Sequence, residues 1–196
     1  MKKLFISILF LLSASAVVDA QEKKNDISIM YGLGSLHYLC ENEAGIPLYT
    51  HINTGALSVQ YIRRINRILG YGGIMVFEKI GKDEFYPGTR GGDNYGVSAS
   101  RTDCVFSLMP VLRSNWVHTK YFNLYNKIGL GAAFVSEKYK ADDKSLNLPD
   151  KRESVFEPAY QFTLLGLDFG SERIHAAVEL GFGSQGLGVL GVKYQF

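Results

Sequence analysis

After residue 20, this 196-residue sequence has no run approaching the roughly 20 consecutive apolar residues of a membrane-spanning helix. A bundle of transmembrane helices is therefore excluded. Cysteine is scarce: Cys40 and Cys104 are too few for a disulfide scaffold, and neither has the companions a metal site needs. An exported chain permits a bond between them, although two unpaired thiols are the expected state. Charge of one sign is missing as well. A net charge of +2 with no basic or acidic run gives no argument for nucleic acid or an acidic substrate as partner. Only five prolines occur, and there is neither a low-complexity tract nor a repeat of solenoid length.

What the chain has in quantity is glycine and aromatics: 21 Gly, 12 Tyr and 12 Phe. Glycine suits strands that bend or crowd, and aromatics suit strands that meet a membrane interface. The first twenty residues stand apart. Lys2 and Lys3 precede an apolar run from Leu4 to Leu12, and small residues lead to Val-Asp-Ala before Gln21. That order predicts a secretory signal over 1–20, with no cysteine at the cleavage point to make a lipoprotein. Residues 21–196 then form one domain of about 175 residues.

Within that domain apolar residues recur at every second position, the period of a strand with one greasy face. Eight such segments are expected, at 26–34, 54–64, 68–80, 101–113, 119–135, 155–169, 173–183 and 186–196. Polar stretches at 35–53, 81–100 and 136–154 separate some of them. Short reversals at 64–67, 114–118, 170–172 and 183–186 separate the others. Strands of nine or more residues are long for a soluble sandwich and near what a tilted bilayer crossing requires. Outward apolar residues on every strand would leave a large sticky girdle in water. An open sheet in lipid would leave backbone groups unpaired, so the wall must close. The expected fold is all-β: an eight-stranded antiparallel transmembrane barrel with short periplasmic turns and three long outer loops.

The last strand puts Leu190, Val192, Tyr194 and Phe196 on one face and Lys193 and Gln195 on the other, and the sequence stops on the aromatic. Gly191, Tyr194 and Phe196 resemble the C-terminal assembly signal of bacterial outer-membrane barrels, with Val189 where that signal usually carries a polar residue. Signal peptide, strand number, loop rhythm and terminal Phe196 together resemble the small OmpA/OmpX-like outer-membrane barrels, including the uncharacterised Bacteroidetes type. The resemblance implies residence in the outer membrane of a Gram-negative envelope. It also implies contact with the lipid bilayer and lipopolysaccharide, insertion by the outer-membrane assembly machinery, and a surface or envelope protein as partner. It does not name an activity, because such barrels serve as adhesins, anchors and, in a few cases, enzymes.

The alternation sends a polar set into the lumen: Gln60, Glu78, Lys127, Arg173, His175, Glu179 and Lys193, joined by Arg64, Asp103, Ser107, Gln161, Thr163 and Gln195. Eight strands enclose a bore that side chains fill, and charges buried there must pair. Lys127, Arg173 and Lys193 are the expected partners of Glu78 and Glu179, with Thr163 across from Glu179. A salt-bridged plug is expected rather than a conducting pore. His175 with Glu179 is the most enzyme-like pair, with Ser107 a conceivable nucleophile. Barrels that deacylate lipid A, however, carry a Ser two places after the His, where this sequence has Ala177. His37 and His51 read as solvated loop residues, and Arg63, Arg67, Arg113 and Arg173 as anchors near headgroups. The expectation is a non-catalytic barrel of structural or surface-interaction role, with no cofactor and no metal. The alternatives are an anchor subunit of an envelope complex and a lipid A-modifying enzyme.

Overall fold

The computed structural model describes residues 24–41, 49–86, 97–119, 121–141 and 151–196. In order these form β1 (Asn25–Leu33), α1 (Leu36–Glu41), β2 (Tyr49–Asn53), β3 (Ala56–Arg64), β4 (Leu69–Tyr86) and β5 (Val97–His118). They continue as β6 (Phe122–Ala141), β7 (Lys151–Gly170), β8 (Ile174–Gly183) and β9 (Gly188–Gln195). Every pairing is antiparallel. β2 and β3 occupy one wall position, since both pair with β4, β3 along its lower half and β2 along its upper half. The break between them is at Gly55, whose φ of 67° is a left-handed conformation that costs glycine nothing. Nine segments therefore make eight wall strands, and the β1–β9 pairing closes the barrel.

Following directly opposed residues once around the wall shows its slant. The row runs from Leu124 through Leu167, Val178, Leu190, Tyr31, Leu57, Phe77 and Phe106, and returns to β6 at Phe134, ten residues further along. That stagger across eight strands tilts them by about 40° and gives each residue about 2.5 Å of height. β1, with 9 residues, rises about 22 Å, close to the height of an apolar band of about 25 Å. β5, with 22 residues, rises about twice that. The wall is therefore lopsided: β4 to β7 stand well above β8, β9, β1 and β3.

This height corrects the expected loops. Residues 81–86, 97–100, 136–141 and 151–154 were assigned to outer loops by their polarity, yet they continue the strands. A polar sequence without alternation fits a sheet that has left the membrane, where neither side needs to be greasy. Residues 114–118 were read as a turn but belong to β5. A bulge between Asn115 and Val117 carries the strand past its change of phase, and the chain reverses at Thr119, whose backbone and hydroxyl meet the Phe122 carbonyl.

The outward face is apolar along the membrane-crossing part of the wall. Leu190, Val192, Leu180 and Leu164 are each more than half exposed to the surroundings of the barrel. Phe77, Phe106, Phe134 and Phe156 lie side by side across four strands, with the Phe134 and Phe156 rings 5.2 Å apart. Tyr194 and Phe196 stack at 6.0 Å. Phe196 also exchanges both backbone hydrogen bonds with Asn25, at 3.0 and 2.9 Å, so the final residue helps seal the seam to β1.

Candidate functional site

The interior is where this chain concentrates its chemistry. Its lower tier is built by one or two residues from each of β1, β3, β5, β7 and β9. Asp26 on β1 accepts from Arg64 on β3 at 2.8 Å and meets Arg113 on β5 at 3.5 Å. Arg113 also donates to Asp168 on β7 at 2.8 Å, and Lys193 on β9 pairs with the same carboxylate oxygen. Asn115 takes the Arg113 Nε–H at 2.8 Å. All of these side chains are 8 % exposed or less. Charges so buried are tolerable only because each carboxylate meets two cationic side chains.

Tyr125 connects this tier to the one above. The Arg113 guanidinium lies 3.5 Å from its ring centre, a cation–π stack, and its hydroxyl donates to Glu179 at 2.7 Å. Gly166 makes the room: a Cβ there would sit 2.3 Å from the Tyr125 ring. Glu179 receives Lys127 at 2.6 Å and Thr163 at 3.3 Å, and Lys127 also donates to Gln60 at 2.9 Å. Above this, Gln185 from the β8–β9 turn dips into the bore. Its backbone N–H donates to Gln161 at 2.7 Å, and its amide donates to Ser58 at 2.7 Å. An apolar layer of Ile74, Val76, Val105, Met109, Val111, Ala133 and Val135 fills the side under the tall wall. The lumen is therefore polar along one side and greasy along the other, where alternation alone had suggested a polar bore.

At the outer mouth, α1 folds inward rather than away. Ser35 donates to Glu78 at 2.6 Å, and His37 approaches Glu157 at 3.7 Å. Arg101 bridges Asp103 at 3.0 Å and Glu137 at 2.7 Å.

Of the expected lumen residues, Gln60, Lys127, Glu179 and Lys193 join one network, and Thr163 does lie on Glu179. Glu78 is buried apart from them, beneath α1. His175 is buried but distant from Glu179: four residues along one strand is about 13 Å. Its ring contacts the Ser171 carbonyl and the Gln195 amide, so it tethers the β7–β8 turn to the barrel floor and makes no enzyme-like pair. Arg173 is a correction. It is exposed in the turn before β8, outside the alternating region, and is held there through its backbone. Its carbonyl accepts from the Gln195 N–H at 2.8 Å, and its own N–H reaches the Ser171 hydroxyl at 3.5 Å. Arg113, expected at the headgroups, is instead 3 % exposed at the centre of the lower tier. Cys104 is a free thiol, half-buried on the outward face. The Cys40 and His51 side chains, residues 1–20 and the loop charges at 142–150 lie outside the described residues. Among the described residues no group of three His, Cys, Asp or Glu side chains could hold a metal ion.

Asp26, Tyr125 and Asp168 were not among the residues expected in the lumen. Asp168 was hidden by a bulge between Thr163 and Leu165, which turns the strand over so that Thr163 and Asp168 both face inward. The adjacent pair Leu164-Leu165 was the available signal, since two apolar neighbours cannot both point outward on a regular strand. Asp26 and Tyr125 were in the inward phase already.

No protein-family model matches the chain, and no curated protein does. Solved structures do. Ail, the attachment invasion locus protein of Yersinia pestis, solved in complex with the heparin analogue sucrose octasulfate, superposes with a TM-score of 0.50 at 16% identity, over 90% of this chain and 100% of that one. The N-terminal β-barrel domain of Pseudomonas aeruginosa OprF gives 0.40 at 10% identity, over 89% and 98%. The chain has the fold of a small outer-membrane β-barrel. At these identities the likeness concerns the wall, and the barrel's interior network has to be understood from its own residues.

Proposed function

We propose that this chain is exported by the signal at 1–20, inserted into the outer membrane through the Gly191, Tyr194 and Phe196 end, and acts there as a non-catalytic surface-interaction barrel. The observation that carries this reading is the division of labour in the wall. Its lower half is filled and cross-tied by buried ion pairs, which favours a rigid plug over a pore. Its β4 to β7 side rises about 25 Å beyond the apolar band, a height that membrane residence does not need. A raised sheet displays side chains to partners on a rigid support.

On that raised part, β7 above Gln161 has no β8 neighbour, because β8 ends at Gly183 opposite Gln161. The exposed edge carries Arg152, Glu153, Glu157 and Pro158, which guard it against indiscriminate strand pairing. Phe156 and Val155 remain exposed among them. Recognition through these side chains fits such an edge better than backbone pairing.

The test is a pair of measurements on cells making the protein. Protease should reach the raised strands from outside intact cells, and cross-linking from cysteine placed at Ser154 should capture a surface partner. Recovery of periplasmic envelope proteins instead would favour the anchor-subunit reading. An altered lipid A mass profile on deleting the gene would end the non-catalytic one.

A further inference from the structure

Four buried carboxylates in this barrel, those of Asp26, Asp103, Asp168 and Glu179, meet a cationic side chain within 4 Å. Glu78 is the exception. It is 2 % exposed; among the described residues the one hydrogen-bond partner of its side chain is the Ser35 hydroxyl, and no Lys, Arg or His lies within salt-bridge distance. Beside it is a cavity of about 100 Å³ below α1, bounded by Leu36, Val76, Val105, Ala133 and Pro158, with His37, Glu157, Ser107 and Ser184 supplying polar groups. Ser107 is 1 % exposed, and its Oγ has no hydrogen-bond partner among the described residues. Among the described residues, the polar side of the cavity thus holds one carboxylate without a counter-charge and one unengaged hydroxyl, facing apolar walls.

We infer that this cavity is a binding site for a small monovalent organic cation, an ammonium group on a short aliphatic body. A buried carboxylate needs a cation or strong donors to offset its lost hydration. An ammonium supplies three donors, enough for Glu78 and Ser107 together. Val76, Val105, Ala133 and Leu36 would cover the aliphatic part, and Glu157, already engaged by His37, adds negative potential at the rim. The volume suits about five heavy atoms, being roughly three times that of a water molecule. A divalent metal is disfavoured because one carboxylate and one hydroxyl fall short of its usual oxygen ligands.

The experiment is a methyl-resolved NMR titration of the full barrel in nanodiscs with n-butylammonium, using n-butanol and butyrate as neutral and anionic isosteres. Saturable shifts at Val76, Val105 and Ala133 are expected for the amine alone, weakened at least about tenfold by Glu78→Gln and less by Ser107→Ala. Nα-acetyl-lysine amide, run in parallel, separates the sources: equal binding assigns the site to a lysine side chain of a polypeptide, and binding of butylammonium alone assigns it to a free amine. If butanol shifts the same methyls as strongly, the cavity is merely apolar and the inference falls. It falls equally if no ligand saturates the site, or if well-folded Glu78→Gln binds the amine as the natural protein does. The isostere comparison needs no variant, so it decides even if Glu78→Gln does not fold.

Discussion

Replacing Lys127 by Met tests the interior network most directly. The side chains are near in length, so the apolar stem stays packed and no large cavity opens. What disappears is the 2.6 Å ion pair to Glu179 and the 2.9 Å hydrogen bond to Gln60. Glu179 is then left 1 % exposed with only Tyr125 at 2.7 Å and Thr163 at 3.3 Å to support its charge. Breaking a buried pair from one side costs about 3–5 kcal/mol, and the two remaining neutral donors place this case near the lower end, about 3 kcal/mol. The double variant Lys127→Met/Glu179→Gln strands no charge, and the new amide oxygen can still accept from Tyr125, so it should regain at least about 2 kcal/mol. The assay is urea unfolding in detergent, followed through the single tryptophan, Trp116, which lies 61 % exposed on the outer wall and reports loss of the apolar surroundings. With a slope near 2 kcal/mol per molar urea, the single variant should unfold about 1.5 M earlier. A loss below about 1 kcal/mol, or a double variant no better than the sum of its singles, would refute the claim that Glu179 depends on Lys127.

Leu180→Arg puts a charge on the lipid face about 15 Å above the start of β8 and should cost roughly 2–4 kcal/mol or block insertion, whereas exposed Ser154→Ala should stay within about 0.5 kcal/mol; parallel urea titrations compare them. Gly191→Val should prevent closure, since a Cβ there would lie 2.2 Å from the Ile29 carbonyl and 2.8 Å from the Met30 Cα; a heat-modifiable gel shift reads the folded fraction. Deleting Phe196 removes two hydrogen bonds to Asn25 and the stack on Tyr194. If the residue is also an assembly signal, the yield in cells should fall much further than the yield of refolding into liposomes. Equal losses would make its role purely structural. Planar bilayers holding the barrel should show no steady conductance, and ion-sized steps in current would contradict a filled bore.

The alternation along the chain was sufficient to specify eight wall strands, their lipid-facing residues and the inward placement of Gln60, Lys127, Glu179 and Lys193, because a strand's two faces are fixed by a period of two and the membrane demands that one be greasy. It also led to the expected contact of Thr163 with Glu179, which follows from two neighbouring strands in one tier. Only the folded barrel decided who meets whom across the bore. Bulges near Thr163 and Asn115 consume a residue without any obligatory mark in the sequence, and the first of them brought Asp168 inward to Lys193 and Arg113. Arg173 and Arg113 look alike as basic residues near the short turns, but one falls in the reversal and the other on an inward phase, so one is solvated and the other is the centre of the network. Polarity read as loop became raised sheet because hydrogen bonding between strands outlasts the membrane that selects for alternation. The separation of Glu78 from every described cation arose in the same way, from the stagger of eight closed strands, which sets the height of each side chain by pairings distant in sequence.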